Sequence, residues 1–192
     1  GLRWLQKAID QNNLYAITTL GELFESGLGV PQDSSQALHW FQVAADQEFR
    51  EAQHRLGSMY NNGIGVEQSF AQALVWLRKS ADQGHPVAQY DVGVIHYNGR
   101  SVPQDYDEAV RWYRLSAEQG CADAQNNLGV MFQNGFGVAQ DGAVALKMYL
   151  LAAEQGYALA QYNAGCTYLN GLGVDENPVE AEKWLRRAAE QG

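Results

Sequence analysis

Residues 122–141 read ADAQNNLGVMFQNGFGVAQD, and close variants of this stretch recur every 36 residues along the chain. Residues 50–69, 86–105 and 158–177 carry the same pattern of small, apolar and glycine residues, except that Ser101 replaces the second loop glycine. A fixed period of roughly 20–50 residues is the sequence signature of a solenoid, because each repeat buries its apolar face only by stacking on a neighbour. The chain is therefore predicted to be a single array over 1–192. Its units are 1–12 (the second helix of a truncated repeat), 13–48, 49–84, 85–120, 121–156 and 157–192.

Glycine and tryptophan set the register of the repeat. Of the 20 glycines, 18 fall at four repeat positions, which leaves Gly1 and Gly142 outside. The rows are Gly21, Gly57, Gly93, Gly129, Gly165; Gly27, Gly63, Gly99, Gly135, Gly171; Gly29, Gly65, Gly137, Gly173; and Gly84, Gly120, Gly156, Gly192. One further position holds Trp4, Trp40, Trp76, Trp112, Met148 and Trp184.

The glycine row that includes Gly129 falls inside predicted helices, where glycine costs about 1 kcal/mol relative to alanine. We therefore expect the two helices of a unit to cross closely at this row, with the tryptophan of the second helix over the gap. A side chain at Gly129 should accordingly be more damaging than one at Gly142, which belongs to no row.

Each unit is predicted to contain two helices. Pro86 suits the first turn of a first helix, and Asn98-Gly99 suits its C-terminus. The buried positions expected in that helix are Ala88, Val92 and Ile95. Capping boxes predict the start of the second helices at Asp33…Gln36, Ser69…Gln72 and Asp105…Glu108, while Asp141 supplies a cap alone and Asn177-Pro178 adds proline. The second-helix stripe in the first full unit is Ala37, Trp40, Phe41, Ala44 and Ala45. Eleven helices and no strand follow.

Composition limits the partners. The net charge is −9, which disfavours nucleic acid, because a phosphate backbone needs clustered lysine and arginine. No stretch approaches the roughly 20 apolar residues of a membrane helix, so membrane insertion is not expected. The sequence begins inside a repeat, which predicts a piece of a longer protein, and its compartment stays open. Cys121 and Cys166 lie too far apart in the repeat register for a disulfide, and we expect free thiols.

The repeat pattern resembles that of the Sel-one-like repeat family, relatives of the tetratricopeptide repeats. The residues of unit 121–156 that carry the resemblance are Ala122, Ala124, Gln125, Leu128, Gly129, Met131, Phe132, Gly135, Gly137, Val138, Asp141, Ala145, Ala152, Ala153, Glu154, Gln155 and Gly156. Departures occur at Glu48 and Ser101 (for glycine), His96 (for an aromatic ring) and Met148 (for tryptophan).

The resemblance implies an all-α, right-handed superhelix whose first helices line a concave face. It also implies an adaptor or scaffold; members act in eukaryotic endoplasmic-reticulum quality control, bacterial secretion and envelope assembly, and host interaction by pathogens. Some cysteine-rich bacterial members were proposed to bind or cleave β-lactams. This sequence lacks their regularly paired cysteines, so that activity is not expected here.

Alternative sites are weaker. The G-x-G loops lack the preceding strand of a nucleotide-binding unit. The four histidines show no pair at metal-ligand spacing, so no metal or other cofactor is predicted. No Ser, His and Asp cluster is apparent, and catalysis is not predicted. A basic row on the second helices, with acidic residues four positions on, is interpreted as a solvated face. It comprises Arg3, Lys7, Arg78, Lys79, Arg111, Arg114, Lys147, Lys183, Arg186 and Arg187.

The first helices carry positions that lie off the buried stripe and do not repeat. On a shared concave face such positions can encode a partner, since aromatic anchors beside polar groups suit peptide recognition. The candidate binding residues are Tyr15, Thr19, Glu22, Glu51, Arg55, Ser58, Val87, Asp91, Val94, Tyr97, Asp123, Asn127, Val130, Leu159, Asn163 and Cys166. Tyr90, Tyr162 and Leu169 border them, although Tyr90 and Tyr162 could instead pack against the next unit.

The function predicted is a scaffold or adaptor that binds another protein or peptide on this face. Self-association is the alternative, through a convex face or through the end at Gln191-Gly192, because terminal repeats need polar caps. A hydrolase-like enzyme is the remote third reading.

Overall fold

The computed structural model describes residues 2–191, all of whose regular structure is helical. Eleven helices follow one another, and no strand occurs within these residues, which confirms the predicted fold class. They are α1 (Leu2–Ile9), α2 (Leu14–Ser26), α3 (Ser34–Ala45), α4 (Arg50–Asn62), α5 (Phe70–Asp82), α6 (Pro86–Asn98), α7 (Tyr106–Glu118), α8 (Ala122–Asn134), α9 (Gly142–Glu154), α10 (Ala158–Asn170) and α11 (Pro178–Ala189). Gly1 and Gly192, including the predicted end contact at Gly192, lie outside the described residues.

The chain divides into two compact units, the first up to Val92 and the second from Gly93. In the first unit α2 packs on α3, α3 on α4 and α4 on α5. In the second unit α7 packs on α8, α8 on α9, α9 on α10 and α10 on α11. The helices α3, α4, α8, α9 and α10 therefore bury their apolar stripes between two packed neighbours, whereas α1 has no buried residue.

The second helices begin at the predicted caps. The side chains of Asp33, Ser69, Asp105, Asp141 and Asn177 each accept a backbone N–H of the first turn. The second hydrogen bond of a capping box would join the cap's own N–H to the side chain three residues on, and here a backbone bond replaces it. The cap's own N–H donates to a carbonyl nine residues back, as from Asp105 to His96 at 3.0 Å. The glutamine or glutamate three positions on is thus not the acceptor, since the tight hairpin supplies a closer one.

Three positions that the repeat gives to glycine hold other residues in the left-handed region, namely Asn12 at φ 59°, Glu48 and Ser101. Glu48 has φ 61° and Ser101 also has φ 61°. A side chain in this conformation is strained by roughly 1–2 kcal/mol, because Cβ crowds the following carbonyl. The array therefore keeps its turn geometry at these three points despite the substitutions.

The helices cross closely at the mid-helix glycines, but tryptophan does not cover the gap. A Cβ built on Gly129 would lie 2.6 Å from Tyr149 Cε1, and one on Gly21 would lie 2.7 Å from Phe41 Cε1. In each case the covering residue is the one that follows the tryptophan position. The expectation of a covering tryptophan was wrong, because one residue rotates a helix by about 100° and aims the next side chain at the glycine.

Gly142 is also tightly packed, contrary to the expectation from its place outside the rows. A Cβ there would collide with the carbonyl oxygen of Leu172 and lie 2.8 Å from Gly173 Cα. The first turn of α9 thus rests directly on the loop of the next repeat. Sequence period alone did not show this contact, because it joins backbone to backbone.

Candidate partner-binding face

The sixteen candidate residues all remain outside the core, each half-buried or exposed. Their neighbours on the same helices are buried, as Ala88 and Val92 show at 0% exposure. The first unit carries Tyr15, Thr19, Glu22, Glu51, Arg55, Ser58, Val87 and Asp91, which we call the charged portion. The second unit carries Val94, Tyr97, Asp123, Asn127, Val130, Leu159, Asn163 and Cys166, which we call the amide portion.

Ion pairs join adjacent repeats in the charged portion. Arg55 Nη2 lies 2.8 Å from Glu22 Oε1, and Arg55 Nη1 lies 3.9 Å from Glu25 Oε2. Both ends of the shorter pair are more than 40% exposed, so the pair stabilises the fold by at most about 1 kcal/mol. The pair therefore orients the Arg55 side chain but adds little to the free energy of unfolding.

A polar cluster that was not predicted from the sequence lies in the same portion. His54 Nε2 is 3.0 Å from Asp91 Oδ2 and 3.5 Å from Ser58 Oγ. A catalytic triad needs the carboxylate on one ring nitrogen and the hydroxyl on the other. Here both partners share Nε2, so the cluster is a hydrogen-bond network between repeats and lacks the geometry of an activated serine.

His85 stacks on His54, with ring centroids 4.6 Å apart. Its Nδ1 accepts the Ala88 N–H at 3.1 Å and so caps α6. Burial, together with the nearby His54, lowers the pKa of His85 to about 4. Below neutral pH the ring therefore remains an uncharged acceptor until the solution is strongly acidic.

Three asparagine side chains link α8 to α10 in the amide portion. Asn163 Nδ2 donates to Asn126 Oδ1 at 2.9 Å, and Asn126 Nδ2 donates to Asn127 Oδ1 at 3.4 Å. Asn126 is 1% exposed, while Asn127 and Asn163 are half-buried. Asn126 was not among the candidate binding residues, and its hydrogen bonds orient the two that were, Asn127 and Asn163.

Aromatic residues border the amide portion. Tyr97 packs against Tyr106 with centroids 5.5 Å apart, and Tyr106 stacks on Phe136 at 4.9 Å. Tyr162 is 53% exposed, and a hydrogen bond with Cys166 raises the pKa of its phenol. The Tyr162 ring thus leaves about half of its surface open to solvent.

The basic row lies on the second helices, as expected, but its pairs only partly follow the spacing of four. Arg78 pairs with Asp82 at 3.5 Å. Arg186 instead pairs with Glu182 at 2.8 Å, the acid four residues before it. Lys79 lies 4.1 Å from the centre of the Trp76 ring, so part of the row packs on the tryptophan position.

Other kinds of site find no support in the described residues. Across residues 2–191, no helix combines the length and apolar character that a membrane crossing needs. Within the same residues, no group of three or more His, Cys, Asp or Glu side chains is arranged to hold a metal ion. Cys121 and Cys166 are free thiols.

Sequence and structure comparisons give a consistent result. A sequence model of the Sel1 repeat matches residues 1–13, 15–49, 50–85, 86–121, 122–157 and 158–192. A protective antigen of uropathogenic Escherichia coli with an SLR fold is similar over 100% of this chain and 41% of its own, at 34% identity and TM-score 0.94. A Sel1 repeat protein from Oxalobacter formigenes is similar over 100% and 79%, at 32% identity and TM-score 0.91.

An immunity protein from Pseudomonas aeruginosa shares the fold at 18% identity and TM-score 0.66, over 97% of this chain and 70% of its own. The chain thus spans less than half of the E. coli antigen it resembles. No relative among curated protein sequences matches it.

Proposed function

The chain belongs to the Sel1 repeat family, and from that premise we propose that it is an adaptor that binds a partner protein or peptide on the face of its first helices. Sel1 repeat proteins are generally protein-interaction scaffolds, and their helical repeat fold is not typically enzymatic. The observation that carries the proposal is the separation of roles along each first helix. Repeating residues fill the core, and all sixteen non-repeating candidates remain accessible.

The accessible residues include anchors suited to a protein partner. Tyr15 is 70% exposed and Leu159 is 52% exposed, and each lies beside polar neighbours on the same helix face. Tyr15 packs one edge of its ring against Phe49, with centroids 4.7 Å apart, and leaves the rest in solvent. Large apolar side chains that remain this exposed are typical of interaction surfaces, where burial by a partner stabilises the complex. The partner that such a face suits is another protein or a peptide.

A paired set of charge reversals tests the proposal. Arg55→Glu with Asp91→Lys changes the charged portion and breaks partly exposed pairs with Glu22 and His54. The matched control, Arg111→Glu with Arg114→Glu, changes the second-helix row and breaks one comparable pair. The control should melt within about 1–2 °C of the parent, since its exposed pair contributes little. The charged-portion variant also loses the half-buried Asp91–His54 pair and should melt somewhat lower while remaining folded.

Full-length protein captured with its partners should retain them in the control and lose them in the charged-portion variant. The opposite pattern would place binding on the second helices, where a shallow groove of about 440 Å³ lies beside Arg111, Arg114 and Leu115.

The mass of the purified protein in solution addresses self-association. A dimer that dissociates in the Arg111→Glu, Arg114→Glu variant would favour assembly over an adaptor role.

A further inference from the structure

The amide portion differs in chemistry from the charged portion. Among its eight residues Asp123 is the one with a charged side chain, whereas four of the eight in the first unit are charged. In a chain of net charge −9, an accessible helix face that is almost uncharged is unusual. Such a face discriminates partners by hydrogen bonds and apolar contact.

The asparagine chain leaves specific hydrogen-bonding groups unused. Asn163 Nδ2 donates to Asn126 Oδ1, and Asn127 Oδ1 accepts from Asn126 Nδ2. Within residues 2–191, Asn127 Nδ2 donates no hydrogen bond and Asn163 Oδ1 accepts none. One donor and one acceptor are therefore left without a hydrogen bond within that range, the donor on α8 and the acceptor on α10.

We infer that the amide portion binds an extended, apolar peptide segment that carries one basic side chain, with Asn127 donating to a peptide carbonyl and Asn163 accepting a peptide N–H. This inference rests on the proposed adaptor function. Both asparagines bond to Asn126, which places their two amides within roughly 8–10 Å of each other. An extended chain rises about 3.3 Å per residue, so roughly three residues reach from one asparagine to the other.

Side chains around the asparagines fit such a segment. Leu159 and Tyr162 are 52% and 53% exposed and offer apolar contact to alternate residues of an extended chain. Asp123, which shares the helix face of Asn127, forms no ion pair in the described part of the chain. A lysine or arginine of the peptide supplies the opposite charge, and an acidic peptide is repelled.

Selection from a phage-displayed library of random peptides tests the inference. Peptides of about 12 residues extend to roughly 40 Å, which covers both helices. The selected sequences should be apolar with one lysine or arginine and few acids. A fluorescein-labelled selected peptide then reports affinity by polarisation, and analogues N-methylated at single positions should bind at least fivefold more weakly at two positions.

Variants locate the binding. Asn127→Leu removes the donor, and Asn127→Asp removes it while keeping the oxygen that Asn126 uses, so loss of folding and loss of binding are separated. Asn127→Leu should weaken the peptide by about fivefold or more, as expected for one hydrogen bond whose partner is left unpaired. Asn127→Asp should do the same for an analogue whose basic residue is replaced by norleucine, because the added carboxylate would attract a basic peptide. Asn134→Leu is the control on the same helix, since Asn134 Nδ2 already donates to Val130 O. Asp123→Asn should weaken the peptides with a basic residue.

Peptides that keep their affinity for the Asn127 variants but lose it with Arg55→Glu and Asp91→Lys would overturn the inference and leave the adaptor proposal in place. Peptides that are lost with Arg111→Glu and Arg114→Glu alone would overturn both. Selection of acidic peptides, or of none, overturns the inference.

Discussion

Replacing Gly129 with alanine should destabilise the protein, although alanine is the better helix former. The new Cβ would lie 2.6 Å from Tyr149 Cε1 and 3.1 Å from Ala145 O, against about 3.5–4.0 Å for an ordinary carbon contact. Tyr149 is 1% exposed, and its hydroxyl donates to Gln133 Oε1 at 2.6 Å. Burial also raises the pKa of the phenol, which keeps it protonated as a donor.

The magnitude follows from three opposing effects. Alanine gains about 1 kcal/mol of helix propensity. Overpacking costs about 1–3 kcal/mol, and a ring displaced by about 1 Å weakens the Tyr149–Gln133 bond by roughly 1 kcal/mol. The net loss is about 1–3 kcal/mol, and the melting temperature should fall by about 2–4 °C for each kcal/mol.

A double-mutant cycle with Tyr149→Phe identifies the cause. Tyr149→Phe alone removes the bond to Gln133 and should cost about 1 kcal/mol. In the Gly129→Ala background that cost should shrink, because the displaced ring has already lost the bond. Urea unfolding of the four proteins measures the coupling. A Gly129→Ala protein that melts above the parent would refute the close crossing, and strictly additive effects would refute the ring displacement.

Gly142→Ala should destabilise at least as much as Gly129→Ala by urea unfolding, because the collision is with Leu172 backbone, which cannot rotate away; a neutral result would contradict the loop contact. His96→Phe should increase the free energy of unfolding by about 1–2 kcal/mol, and with it the melting temperature, since both ring nitrogens of His96 are buried without a partner within the described residues. A lower melting temperature would indicate that a ring nitrogen makes a hydrogen bond. Glu48→Gly should stabilise by about 0.5–1 kcal/mol through relief of its left-handed backbone, and an unchanged unfolding midpoint would argue against strain. His85 has a folded pKa of about 4, below its unfolded value of about 6.5, so its contribution should be complete above pH 6.5 and decline as the pH falls towards 4; His85→Asn, which keeps a cap, should flatten this part of the pH profile of unfolding.

The fold was predictable because its signals are local and repeated. The caps at Asp105 and Asn177 and the turn at Asn98-Gly99 depend on a few consecutive residues, and the structure confirms each one. The residue that covers Gly129 depends instead on the rotation of one helix about another. Because Met148 and Tyr149 both belong to rows that recur every 36 residues, the repeat pattern alone does not show which of the two covers the glycine.

The polar contacts between first helices were missed for a related reason. His54 and Asp91 are 37 residues apart, as are Asn126 and Asn163. Comparing equivalent positions 36 apart misses these contacts, since at both places the partner lies one position beyond the equivalent one, and it misses Arg55–Glu22, whose spacing is 33. A search at spacing 37 would have predicted both contacts, but the offset itself comes from how repeats stack.

The buried glutamines of the first helices have a consequence for how such arrays change length. Gln125 Nε2 donates to Ala117 O of the preceding helix, and Gln125 Oε1 accepts from Gln155 at the end of the following one. Gln53 makes the same two bonds, to Ala45 and from Gln83. One glutamine side chain thus bonds both to the helix before its own and to the end of the helix after it. The bond to the preceding carbonyl crosses the boundary between two units, whereas the bond between the two glutamines lies within one unit. A unit duplicated or deleted by recombination therefore offers the same glutamine-to-carbonyl bond at each new boundary, so the number of units can vary in descent without a new interface having to evolve.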